Sequence, residues 1–150
     1  EASLHKEAID IKEIIQETLE PYKKMLTERI PIEENYKGED FKFGGDKAKI
    51  NIVLRNIITN AIEAIHEQGS IEVKVSSDKS ELAIEIKDTG IGISDDMLSK
   101  IFEPYFSTKD VGTGLGLPIA KKIIKDHGGS ISASSKKNEG TSILIKLPQK

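Results

Sequence analysis

The sequence predicts an α+β domain, a two-layer α/β sandwich whose mixed, mostly antiparallel sheet of about five strands carries about three helices on one face. Three observations carry this expectation. Ile50, Val53, Leu54, Ile57, Ile58, Ala61, Ile62 and Ile65 follow the i, i+3, i+4, i+7 rule of an amphipathic helix. The runs Ile71-Val73-Val75 and Leu82-Ile84-Ile86 alternate with Glu72, Lys74, Glu85 and Lys87, the pattern of an antiparallel hairpin with one wet face. Gly90, Gly92, Gly112, Gly114 and Gly116 crowd into one loop region that leads into a further helical stretch. Helices interleaved with antiparallel pairs bury their apolar faces as layers around one core.

In chain order, apolar residues at Ile11, Ile14, Ile15, Leu19, Tyr22, Met25 and Leu26 predict a helix from Ile9 to about Ile30, with Pro21 marking a kink or an early break. Ile30 to Phe43 reads as one or two short strands with a turn at Gly38, and Asp46 after Gly44-Gly45 suits a helix N-cap. The central helix ends near Gly69. After the hairpin, Asp88 to about Gly116 is a glycine-rich loop with a short helical interlude near Asp95 to Ile101. A third helix, about Leu117 to His127, is stopped by Gly128-Gly129. Strands from Ile131 to Ser135 and Ser142 to Leu147 close the chain, and no internal repeat or low-complexity segment is present.

The 150 residues are enough for one real core, and 37% hydrophobic with 31% charged residues is ordinary globular composition. No apolar run approaches the roughly 18 residues needed to span a bilayer. A formal net charge of -3 argues against a nucleic-acid partner. With no cysteine, disulfides, thiolate metal sites and cysteine nucleophiles are excluded, which suits a reducing cytosol. The chain begins Glu1-Ala2-Ser3 without methionine or signal peptide, as a piece cut from a longer protein would.

The residues with chemistry to offer fall in three places. Gly112-Thr113-Gly114-Leu115-Gly116 leads directly into a helix, where glycine lets backbone N–H groups approach an anion and a helix N-terminus favours phosphate. A flexible surface loop is the bland alternative. A Rossmann loop fits poorly, because no strand precedes the run, and a Walker A loop fails because no Gly-Lys-Ser/Thr follows. Asn56 and Asn60 lie four apart, on one stripe beside the apolar face of the central helix, with Lys49 and Glu63 on the same flank. Asparagine is a poor helix former, so a stacked pair is either solvent-facing or useful, for instance as an amide oxygen on Mg²⁺. Asp88-Thr89-Gly90-Ile91-Gly92-Ile93 follows a strand, where an aspartate can accept a hydrogen bond from the exocyclic amine of adenine. It is otherwise only a turn, since an aspartic protease needs a second Asp-Thr-Gly that this chain lacks.

Asn56-(x3)-Asn60-Ala61, Asp88-x-Gly90-x-Gly92, Phe102-Glu103-Pro104-Tyr105-Phe106 and Gly112-x-Gly114-x-Gly116 occur in that order. Together they resemble the N, G1, F and G2 boxes of the sensor histidine kinase catalytic domain, over roughly Asp10 to Pro148. The resemblance implies the Bergerat fold and binding of ATP with Mg²⁺. Asn60 would be the principal Mg²⁺ ligand with Asn56 close to metal or phosphates, and Asn56, Asn60 and Lys109 would form the catalytic set. Asp88 would bind the adenine amine, Gly90, Gly92 and Ile93 would shape the base pocket, and Thr141 would join them through water. Thr108, Gly112, Thr113, Gly114, Leu115 and Gly116 would meet the phosphates from the lid, and Lys109 looks like a lid lysine that approaches them. Many relatives carry a basic residue shortly after the second asparagine; here Asn60-Ala61-Ile62-Glu63 offers an acid, which leaves Lys109 as the expected cation.

The same fold serves gyrase and mismatch-repair ATPases, which place a water-activating glutamate four residues before the metal-binding asparagine. Here that position is Asn56, so phosphoryl transfer to a protein nucleophile is expected in place of hydrolysis. A serine-protein kinase of the anti-sigma-factor type and a nucleotide-binding scaffold are the alternatives. None of His5, His66 or His127 sits in a phosphoacceptor context. The acceptor is therefore expected upstream, on a dimerisation domain of the same kinase, with residues 1–9 as the end of a linker and 10–150 as the catalytic domain. The expected partners are that domain and a response regulator, with no nucleic acid and no direct membrane contact. The chain itself is expected to be a cytoplasmic monomer, whether or not its parent is anchored in a membrane.

Overall fold

The computed structural model describes residues 4–26, 28–104 and 116–149. The elements run β1 (Glu7–Asp10), α1 (Ile11–Leu26), β2 (Ile32–Lys37), β3 (Lys42–Gly45), α2 (Lys47–Ala64), β4 (Ile71–Ser77), β5 (Glu81–Asp88), α3 (Asp95–Leu98), α4 (Gly116–Asp126), β6 (Ser130–Lys136) and β7 (Gly140–Pro148). Five strands form the main sheet in the order β2-β4-β5-β7-β6, and β1 pairs with β3 in a small second sheet. Only β2 and β4 are parallel; every other neighbouring pair is antiparallel. This is the mixed, mostly antiparallel sheet of five strands that the sequence predicts.

Register explains where the core lies. Ile86 stands opposite Val73 on β4 and Ile143 on β7, and Ile84 opposite Val75 and Ile145. Those side chains are all buried, on the face that α1 and α2 cover with Ile11, Ile14, Ile15, Leu19, Ile50, Val53, Leu54, Ile57 and Ile58. Each of them contributes roughly 1.5–3 kcal/mol relative to staying exposed. The opposite face is wet: Glu72 faces Lys87 and Lys74 faces Glu85 across the β4–β5 hairpin. Hydrogen bonds between side chains and caps help tie the helices to one another. Asn51 Nδ2 donates to Thr18 Oγ1 at 2.7 Å, and the backbone N–H of Asp46 donates to His127 Nε2 at 3.0 Å.

The start of the chain departs from its expectation. Ile9 and Asp10 belong to β1, and the helix occupies Ile11–Leu26. Asp10 sets that start, because its Oδ1 accepts from the backbone N–H of Lys12 at 2.9 Å and of Glu13 at 3.3 Å, as an N-cap does. Pro21 lies inside the helix, which continues to Leu26, so no early break occurs there. Asp46 caps α2 as its position suggests, with Oδ1 accepting from Lys49 N at 3.3 Å.

Candidate functional site

The apolar rows of the sheet end in a polar one. Asp88, Thr141 and Ser135 stand opposite one another across β5, β7 and β6, one step beyond Ile86, Ile143 and Ala133. The Asp88 carboxylate is buried, and its Oδ1 accepts from Gly90 N at 2.8 Å and Thr141 N at 3.3 Å. Among the described residues Oδ2 receives no hydrogen bond, and no fully buried side-chain polar atom there lacks a partner. Oδ2 is therefore within reach of solvent or of a donor on a ligand. Burial raises the Asp88 pKa above the usual carboxylate range, partly offset by the hydrogen bonds from Gly90 and Thr141.

The loop after β5 is pinned on both sides. Thr89 N donates to Ser70 O, Ile91 N to Ala64 O at 2.9 Å, and Ile93 N to Ser135 Oγ at 2.8 Å, while Ile91 O accepts from Asn138 N. A Cβ at Gly90 would stand 2.5 Å from Ala64 O, so only glycine lets the loop lie against the end of α2. Gly140 is the stricter case: its φ is +122° and a Cβ would come within 2.0 Å of Asp88 O. Gly140→Ala is expected to lower stability by about 3 kcal/mol through strain and clash at that turn. A shift of the urea midpoint measures it, and an unchanged midpoint would contradict this geometry.

Along α2, Asn56, Asn60 and Ala64 form one half-buried stripe at four-residue spacing. Asn56 Nδ2 donates to Gly116 O, at the start of α4, at 3.0 Å. Ala64 O receives the loop at Ile91 N. With a rise of 1.5 Å per residue, Asn60 lies about 6 Å along the axis from each of these contacts. The stripe thus runs from the start of α4, through Asn60, to the Asp88–Gly90 turn. Gly92 and Ile93 follow in the same loop, Gly92 with a φ of +72° against the backbone of Lys136. Phe102 reaches α4, where Lys121 Nζ sits 5.6 Å from its ring centroid.

The structure thus sets Asn56 and Asn60 on one stripe of α2 between Gly116, at the start of α4, and the β5 end with its following loop, where Asp88, Gly90, Gly92, Ile93 and Thr141 gather. Thr108, Lys109, Gly112, Thr113, Gly114 and Leu115 lie outside the described residues. His127 is buried and both its ring nitrogens are engaged, Nδ1 with Ile123 O at 2.8 Å and Nε2 with Asp46 N, while His5 and His66 are exposed. Two contributors escaped the sequence reading. Ser135 links Ile93, Gly140 and Thr141 through one hydroxyl. Counting back across the turn at residues 137–139 would have placed it opposite Thr141. His127 joins α4 to α2, and nothing in its local sequence signals a partner at Asp46.

Residues 45–150 match the family described as histidine kinase-, DNA gyrase B- and HSP90-like ATPases, and the chain belongs to that family. Within it, the chain resembles the histidine kinases. It is 35% identical to sporulation kinase B of Bacillus subtilis (strain 168) over 144 residues, which are 95% of this chain and 34% of that protein. It is 34% identical to sensor histidine kinase ZraS of Escherichia coli (strain K12) over 144 residues, 95% of this chain and 31% of that one. The chain therefore spans about a third of the length of these curated relatives. Its structure is similar to the nucleotide-free catalytic domain of histidine kinase ThkA, with a TM-score of 0.88 at 30% identity and 97% of each chain covered. ThkA has also been solved in complex with a response regulator, TrrA, and that kinase superposes with a TM-score of 0.83 at 26% identity over 97% of this chain and 42% of its own. The fold is thus that of histidine kinase catalytic domains.

Proposed function

We propose that this chain binds ATP with Mg²⁺ and transfers the γ-phosphoryl group to a histidine on a separate dimerisation domain of the same parent kinase. The observation that carries the reading is the stripe on α2, which places two asparagines between the Asp88 carboxylate and the start of α4. Asp88 Oδ2 is the acceptor for the adenine amine, with Gly90, Gly92, Ile93 and Thr141 beside the base. The phosphates lie toward Gly116, the start of an 11-residue helix, because the first-turn N–H groups that a helix leaves without intrahelical partners favour anions. Thr108, Lys109, Gly112, Thr113, Gly114 and Leu115 complete that end in this reading, with Lys109 as the phosphate cation.

The neutral amide of Asn56 cannot take a proton from water, and its nitrogen already donates to Gly116 O. The position that carries a carboxylate base in gyrase-type enzymes is therefore occupied by a positioning group. Transfer to a histidine, itself a nucleophile, needs no such base. The donor set also suits Mg²⁺ that arrives with its nucleotide. Among the described residues no group of three or more His, Cys, Asp or Glu side chains gathers as a protein cage would. One or two amide oxygens, from Asn60 and Asn56, fit an ion that keeps waters and shares phosphate oxygens. When bound, Mg²⁺ would neutralise charge on the β- and γ-phosphates. Mg²⁺ alone is accordingly expected to leave the melting temperature unchanged, and to raise it only together with ATP.

The chain supplies neither acceptor nor signal in this reading; those belong to the rest of the parent, and a response regulator is the onward partner. No described helix is long and apolar enough to cross a membrane; a cytoplasmic location belongs to this reading because the domain would draw on cellular ATP. The test is labelled ATP with the chain alone and then with an added dimerisation domain carrying the acceptor histidine. Label is expected only on the added domain, with slow steady-state hydrolysis throughout. Rapid hydrolysis by the chain alone would move it to the gyrase-like class, and binding without transfer would leave it a scaffold.

A further inference from the structure

Ser135 is half-buried on the inner face of β6, and its one hydroxyl makes three hydrogen bonds. Its Oγ donates to Gly140 O at 2.9 Å. A serine hydroxyl has one proton and two acceptor lone pairs, so that bond uses the only proton. Toward its other partners Ser135 is an acceptor. It takes one hydrogen bond from Ile93 N at 2.8 Å and shares a 2.8 Å contact with Thr141 Oγ1. In that last contact Thr141 has to be the donor, because Ser135 has nothing left to give.

The direction of this one proton sets the polarity of the end of the sheet. Thr141 stands opposite Asp88 on one side and Ser135 on the other. With its proton committed to Ser135, Thr141 offers only lone pairs to a ligand, as does the carboxylate Oδ2. At this end of the sheet Thr141 Oγ1 and Asp88 Oδ2 then both present acceptors to a ligand. Adenine presents an amine at its 6-position, which such a pair accepts, whereas guanine presents a carbonyl oxygen, which it repels. A buried polar group facing the wrong partner discriminates more strongly than any apolar fit.

We propose that Ser135 is a specificity-determining positioning residue, which orients the Thr141 hydroxyl so that the site takes adenine and refuses guanine nucleotides. This rests on the nucleotide-binding reading above. Without the Ser135 hydroxyl, Thr141 is free to rotate and donate to a guanine oxygen, so selectivity should fall while adenine binding largely persists.

The experiment is calorimetric titration of ADP and GDP, with Mg²⁺, into the wild-type chain, Ser135→Ala, Ser135→Thr and Ser135→Cys. The ADP-over-GDP affinity ratio is expected to narrow about ten-fold in Ser135→Ala and to return in Ser135→Thr, which restores the hydroxyl. Ser135→Cys fills the same space with a poor acceptor and should narrow the ratio as alanine does, so it serves if alanine loosens the fold. Adding Ser135→Ala to Thr141→Val should change the ratio no further, because the effect passes through Thr141. An unchanged ratio in both Ser135→Ala and Ser135→Cys overturns the proposal alone. Equal weakening of ADP and GDP overturns it too, since a merely structural staple would do that. A wild-type chain that binds no ADP overturns the nucleotide reading and this inference with it.

Discussion

Asp88→Asn is expected to weaken adenine-nucleotide binding roughly 100-fold while leaving the domain at least as stable as before. The two halves of this expectation have separate causes. Asparagine keeps an Oδ1 that can still accept from Gly90 N and Thr141 N, so the turn after β5 retains both hydrogen bonds. In place of the free Oδ2 it puts an amide nitrogen, a donor facing the donor amine of adenine. The carboxylate is buried, and that burial raises its pKa. For such a group, stability is fully present below the unfolded-state pKa and is lost as pH rises through the raised folded-state value. At neutral pH the wild type bears that cost and Asp88→Asn does not. Adenine binding runs the other way, since the acceptor is the ionised form. Affinity should decline as pH falls through the raised Asp88 value, which begins above the ordinary aspartate range of about 3.9. Titration of a non-hydrolysable ATP analogue from pH 8 to 5, paired with thermal melts, separates the two. Unchanged affinity in Asp88→Asn would remove Asp88 from the base site.

What could be read in the sequence depended on how local its cause is. The α2 helix and the β4–β5 hairpin announce themselves because their burial repeats within a few residues, and Ile57 or Ile84 needs no distant information to be placed in a core. Asn56 and Asn60 were conspicuous because they interrupt that regularity. Long-range pairings left weaker marks. β1 has four residues and finds its partner in β3 only after the whole of α1, so Ile9 read as the start of the helix. β2 runs parallel to β4, a relation set by the crossover through β3 and α2 and not by anything in Ile32–Lys37 itself. Ser135 and His127 show the same limit inside the site. Each is an unremarkable residue at a strand or helix end until the fold supplies its partners from Ile93, Thr141 and Asp46.

His127 supplies the second large effect, because its contacts join the N-cap of α2 to the end of α4. Its Nε2 accepts from Asp46 N, so the ring proton sits on Nδ1 and is donated to Ile123 O. The imidazole also lies 6.5 Å, centroid to centroid, from the Phe43 ring. His127→Ala leaves a buried N–H at the N-cap of α2 without its acceptor and opens a ring-sized gap, and it is expected to cost about 3–5 kcal/mol. His127→Phe fills the gap but still strands the Asp46 N–H, and should cost about 2 kcal/mol. The difference between the two variants isolates packing from hydrogen bonding. Either loss is large against a total stability of about 5–15 kcal/mol. The consequence should reach the site as well. α2 and α4 run antiparallel, joined by Asp46–His127 near one end and by Asn56–Gly116 toward the other. Releasing α4 at its C-terminal end leaves Gly116 held by the Asn56 amide and the packing of Ala120, Ile123 and Ile124, so nucleotide affinity should fall in His127→Phe even well below its melting temperature. Urea unfolding gives the stability loss, and amide exchange in the first turn of α2 reports the stranded cap. If His127→Phe matched the wild type in urea midpoint and in ADP affinity, the imidazole bridge would be irrelevant to both helices.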